Sequence, residues 1–243
     1  MTAPVPLLEA RNVTVRFGGV IAVNAVDLSL AAGELRCLIG PNGAGKSTFF
    51  KLLTGQLRPT SGRILLRGKD ITGAAPHQIA RLGVGIKTQI PNVFNGLSVR
   101  ENLYIAAARG RKHRRVKHIV EETLARVRID YLADRTVGEL SHGQRQWVEI
   151  GSVLAQQPEL ILLDEPAAGM THEEILRTAE LINEINRTQS VVVVEHDMQF
   201  IRMIAKTVTV FNQGKVLIED SVDIVLSDPT VRDVYLGKQV EAA

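Results

Sequence analysis

Gly40-Pro41-Asn42-Gly43-Ala44-Gly45-Lys46-Ser47 sets four residues between a first glycine and Gly45-Lys46-Ser47, the spacing of a phosphate-binding loop. Glycines at such positions let backbone N–H groups converge on phosphate oxygens, and a helix opening at the same point adds its N-terminal dipole. Lys46 would bring a point charge to the β- and γ-phosphates of a nucleotide, and the Ser47 hydroxyl would ligate Mg²⁺, with Thr48 continuing the loop into the helix. A chance glycine-rich turn is the competing reading. A predicted strand before the loop and a predicted helix after it supply the context that the pattern requires.

A second group lies in Leu160-Ile161-Leu162-Leu163-Asp164-Glu165-Pro166, where an apolar strand delivers two adjacent carboxylates at its C-terminal end. Ligands bind at that end of parallel sheets. Successive strand residues face opposite ways, so the two acids should have different tasks. Asp164 would hold Mg²⁺ or its water, and Glu165 would polarise an attacking water as general base.

These groups need a scaffold, and the chain alternates accordingly. Asn12 to Phe17, Val26 to Leu30, Glu34 to Ile39 and Arg63 to Leu66 read as strands, and Lys46 to Thr54 as a helix stopped by Gly55. From about residue 92 to residue 155 helical periodicity takes over, with capping-box spacing at Ser98-Val99-Arg100-Glu101 and a helix over His118 to Arg128. Leu160 to Leu163 and Val191 to Val194 are near-continuously apolar, as expected of parallel strands buried on both faces. Glu173 to Asn186 reads as the helix that covers them. The tail suggests a hairpin over Asn212-Gln213-Gly214 and then short helices.

Leu140-Ser141-His142-Gly143-Gln144, leading into a helical stretch from Arg145 to Ala155, narrows the class. Here the chain resembles the nucleotide-binding subunits of ATP-binding cassette (ABC) transporters along nearly its whole length. The usual signature is Leu-Ser-Gly-Gly-Gln, so His142 departs from it, either as a tolerated substitution or with a phosphate-contacting or regulatory role. The resemblance implies an α/β phosphate-loop ATPase core with an antiparallel β subdomain, about 1–91 and 156–243, and an inserted α-helical subdomain, about 92–155. It also implies ATP and Mg²⁺ as cofactors and a head-to-tail dimer. In such a dimer Ser141, His142, Gly143 and Gln144 would meet ATP bound to the opposite subunit.

Three more positions match that family in order. Gln89 lies where a glutamine senses Mg²⁺ and the γ-phosphate at the entry to the helical lobe. His196, after the strand ending at Val194, matches the switch histidine that contacts the γ-phosphate. Phe17 matches the aromatic that stacks on adenine, with core packing as the competing reading. Thr171 replaces the usual Asp of the loop after Glu165, which puts that cross-dimer contact in doubt. Ala168-Gly169-Met170-Thr171, Leu140 to Trp147 and the closing Asp228-Pro229…Gly237 resemble the subgroup importing branched-chain amino acids, urea and short amides, and most of all its urea-importer ATPases.

Such a motor would sit on the inner face of the membrane against permease subunits, beside a second ATPase subunit, and be served indirectly by an external substrate-binding protein. Composition fits a soluble domain: 45% hydrophobic and 23% charged residues exclude disordered and disulfide-rich classes. Met1 to Ala10 lacks the features of a signal peptide, and no apolar run approaches the roughly 20 residues that span a bilayer. The single Cys37, in an apolar strand, reads as packing rather than as a reactive thiol. A net charge of +3 is weak evidence for nucleic acid binding. The run Arg109 to His118 is densely basic, and it reads as a solvated loop before an anion-binding surface, with no aromatic residue to stack on bases. An ATPase acting on nucleic acid and an exporter motor are the other classes in play.

Overall fold

The apolar runs without polar alternation become the inner strands of a six-stranded sheet in the computed structural model, which describes residues 5–89 and 92–236. In chain order the elements are β1 (Leu8–Phe17), β2 (Val20–Leu30), β3 (Leu35–Ile39), α1 (Lys46–Leu53), β4 (Ser61–Leu66), β5 (Lys69–Asp70), α2 (Pro76–Arg81) and β6 (Val84–Lys87). There follow α3 (Val99–Ala107), α4 (His113–Val127), α5 (His142–Ala155), β7 (Leu160–Asp164), α6 (His172–Asn186) and β8 (Ser190–Val194). The chain then adds α7 (Met198–Ile204), β9 (Thr207–Asn212), β10 (Lys215–Ser221), α8 (Val222–Ser227) and α9 (Pro229–Leu236).

The larger sheet runs β10-β9-β3-β8-β7-β6 and is parallel except for the edge strand β10. Its inner strands β3, β7 and β8 are buried on both faces. Cys37, Leu163 and Val193 face one core with the helical segment, while Leu38, Leu162 and Val192 face the other with α1 and the small sheet. That small sheet, β2-β1-β4-β5, is antiparallel and its long strands bury roughly alternate residues, as polar-interrupted runs require. Burial pushes the Cys37 thiol well above its ordinary range, so it is an inert packing group.

Helices α3, α4 and α5 all fall inside the predicted helical stretch. Helix α4 starts at His113, five residues before the expected boundary, so the first four residues of the basic run precede the helix and the other six belong to it. Its buried face begins only at Val116, Ile119 and Val120, and the charges on its first turn hid the start. Two members of the run are structural. Arg111 donates to the carbonyls of Ala107 and Gln156, and His113 Nδ1 lies 2.6 Å from the Tyr104 hydroxyl. Met1, the boundary at Pro91 and the closing Gly237 lie outside the described residues.

Candidate functional site

Four of the candidate groups stand at the C-terminal ends of parallel strands, and the strand order makes them neighbours. The phosphate loop follows β3, His196 follows β8, Asp164 ends β7, and Gln89 follows β6. Those strands are adjacent in this sequence, with Leu38 level with Val194, Val194 with Asp164, and Leu163 with Lys87. The sheet thus lines up four loops along one edge.

Within the phosphate loop, two glycines are dictated by close backbone approach as well as by positive φ. A Cβ on Gly40 would stand 2.3 Å from the Phe211 carbonyl oxygen, and one on Gly45 2.5 Å from that of Ala22. The Gly214 N–H donates to the Ala44 carbonyl at 2.9 Å, pinning the loop to the β9–β10 turn. Pro41, Asn42 and Gly43 form the outer bend, and Ser47 and Thr48 open α1. Lys46 is 8% exposed and its ammonium donates to the carbonyls of Gly40 at 2.6 Å and Pro41 at 3.0 Å. Burial lowers its pKa, against the opposing pull of Glu165 and Asp164. Phe17 is 50% exposed at the β1–β2 turn, which removes the core-packing reading and leaves its ring face free.

Asp164 and Glu165 diverge as expected, but by a sharper device than strand alternation. Glu165 has φ +47°, a left-handed backbone rarely taken by a non-glycine residue. Its N–H still bonds to the Val194 carbonyl at 2.9 Å. The side chain turns toward its neighbours, with Gln89 Nε2 donating to Oε2 at 3.2 Å and His196 Nδ1 standing 3.4 Å from Oε1. Asp164 is 6% exposed, and burial followed by the charge of Glu165 raises its pKa, with Lys87, Lys51 and Lys46 opposing. The arrangement presents a carboxylate held between a donor amide and an imidazole, close to a buried cation and a second carboxylate.

Beneath this lies a residue that sequence reasoning passed over. Glu195 is buried, accepts the backbone N–H of Ala167 at 3.2 Å and that of His196 at 3.1 Å, and so ties the turn after Glu165 to the end of β8. Burial raises its pKa. Only its place beside His196 could have signalled it. A buried ion pair was also missed: Lys87 Nζ lies 3.6 Å from Glu149 Oε2, joining β6 to α5. Both line a groove of ≈ 260 Å³ whose other walls include Phe94, Ile105, Ala106 and Val153.

The signature residues stand elsewhere. Ser141 caps α5, accepting from Gln144 N–H while Gln144 Oε1 accepts from Ser141 N–H, and Gly143 abuts the carboxylate of Glu174. Thr171 caps α6 in the same reciprocal way with Glu174, which accounts for a hydroxyl residue at that position. Trp147 is wedged between the two helices, its Nε1–H donating to Thr178 Oγ1 at 2.9 Å and its ring lying 3.6 Å beneath the Arg177 guanidinium carbon. Among the described residues no hydrogen bond joins Ser141–Gln144 to the phosphate loop of the same chain. The signature is tied instead to α6 and to the turn after Glu165.

A family model described as ABC transporter matches residues 23–168. The high-affinity branched-chain amino acid transport ATP-binding protein LivG of Escherichia coli K12 is 37% identical over 256 residues, covering 96% of this chain and 98% of its own. The lipopolysaccharide export system ATP-binding protein LptB of Acidithiobacillus ferridurans is 35% identical over 243 residues, with 97% and 98% covered. Among solved structures, the ADP conformation of an ATP-binding cassette of an ABC transporter superposes with a TM-score of 0.86 at 30% identity, covering 96% of this chain and 99% of that one. Likeness of this extent runs through the strands that end in the carboxylates and the loop that carries Lys46, and the chain therefore belongs to the ATP-hydrolysing subunits of ABC transporters.

Proposed function

We propose that the chain is the motor of an importer for branched-chain amino acids and that it works as a head-to-tail pair of cassettes closing on MgATP. The observation that carries the catalytic part is the placement of Glu165 between Gln89 and His196, beside Asp164 and the phosphate loop. ATP would draw the Lys46 ammonium from the Gly40 and Pro41 carbonyls to its β- and γ-phosphates, while the loop's N–H groups and the start of α1 cradle the chain of phosphates. Phe17 would stack on the adenine. Ser47, Asp164 and Gln89 provide hard oxygen donors suited to Mg²⁺, which would supply charge neutralisation at the phosphates. Glu165 would accept a proton from the attacking water, with Gln89 and His196 fixing the water and the γ-phosphate.

Ser141, His142, Gly143 and Gln144 would serve the nucleotide of the second cassette, as the resemblance to the family implies. The groove beside Gln89 would seat a cytoplasmic helix of a permease subunit, its exposed Phe94 and Ile105 offering apolar contact. No helix among the described residues is long and apolar enough to cross a membrane, so attachment to the inner face would come through that partner.

Branched-chain amino acids stand first because of the likeness to LivG. Urea or short amides are the second reading, carried by the resemblance of Leu140 to Trp147 and Ala168 to Thr171. The test is uptake of labelled leucine and labelled urea by source cells whose chromosomal copy carries Lys46→Ala. Loss of leucine uptake is expected; selective loss of urea uptake would install the second reading, and intact uptake of both would reopen export, as in the relative LptB.

A further inference from the structure

The turn that begins at Glu165 is held from two sides. From the sheet, Glu195 accepts the Ala167 N–H. From the helical side, His142 Nε2 lies 2.9 Å from the carbonyl oxygen of Ala168, whose own N–H bonds to the Glu165 carbonyl at 3.3 Å. A carbonyl oxygen only accepts, so Nε2 must carry the proton. The Gln146 side-chain amide lies 3.3 Å from the same nitrogen, with its nitrogen toward the ring and its buried Oε1 lacking a hydrogen-bond partner. Turning that amide over brings Oε1 toward the Nε2–H, which removes a donor–donor conflict and the orphaned oxygen together. The ring also packs on Gly169, where an added Cβ would come within 3.1 Å of Nε2.

We infer that His142 is a positioning residue for Glu165: through Ala168 it fixes the turn that aims the carboxylate. The signature's third position thus acts on the chain's own base, in addition to whatever its helix contacts in a second cassette. A glycine there, the family's usual residue, has no side chain to make this bond. The inference rests on the reading of Glu165 as base.

The experiment compares steady-state ATP hydrolysis by the full chain with that of His142→Leu, which keeps bulk without the donor, and His142→Gln, whose amide reaches to the Nε2 position. Cooperative urea transitions check that each folds. Loss of the bond should lower kcat of His142→Leu about tenfold, while the Kd for ATP from equilibrium dialysis changes less than about twofold. His142→Gln should recover most of the rate. In a Glu165→Gln background, His142→Leu should cause no further loss of residual turnover. Unchanged kcat in His142→Leu, a Gln variant as slow as Leu, or an equal fractional loss without Glu165 would overturn the proposal. Parent turnover indifferent to Glu165→Gln would overturn the reading of the base and this inference with it.

Discussion

The tasks proposed for Lys46 and Glu165 are separable, and single substitutions should separate them. Lys46→Ala removes the cation that meets the phosphates and should both weaken ATP binding and abolish turnover, read by equilibrium dialysis and phosphate release. Glu165→Gln keeps size and hydrogen-bonding capacity but not basicity; ATP should bind as before while turnover falls at least about 100-fold. Phe17 gives a graded test, because its ring is free on one face. Phe17→Ala should cost about 1–3 kcal/mol of ATP affinity and Phe17→Tyr little, with the loss appearing as raised Kd rather than lowered kcat. The positive φ of Glu165 was not legible in the residues, since nothing about an acid before a proline announces a left-handed backbone.

Strand ends and helix joints decide where those residues stand. Lys87 and Glu149 are both buried, so removing one strands the other without its counter-charge. Lys87→Met should cost about 3–5 kcal/mol of unfolding free energy, and pairing it with Glu149→Leu should restore most of that, as urea titration would measure. Glu195 supplies a pH test. Burial raises its pKa above the ordinary 4.5, so its protonated form favours folding and its contribution is complete below that value and lost as pH rises through the raised one. The stability of the parent relative to Glu195→Gln should therefore be greatest near pH 4 and decline as the pH rises above it. The phosphate loop and the Asp164-Glu165 pair were legible because each is a local run with its strand attached. Glu195 with Ala167, Lys87 with Glu149, and His142 with Ala168 were not, because each bond joins segments that only the fold brings together. The start of α4 was missed for a different reason: charge, normally a mark of loops, covers its first turn.

At the scale of the molecule, the proposed pairing would have a second copy or a related chain bring its signature to this chain's phosphate loop. Light scattering of Glu165→Gln should show a rise from monomer to dimer mass on adding MgATP and none with Lys46→Ala. The strand order explains how one closure would engage every group: Gln89, Asp164, His196 and the phosphate loop lie at the ends of successive strands of one sheet, against which α3, α4 and α5 share a core. Trp147 occupies the joint between those parts and is the only tryptophan in the chain. Its indole is 4% exposed and capped by the Arg177 guanidinium. Rotation of the helical part that lifts α5 from α6 would wet that ring and move its fluorescence to the red, so the protein carries an optical gauge of its own working stroke and needs no attached dye.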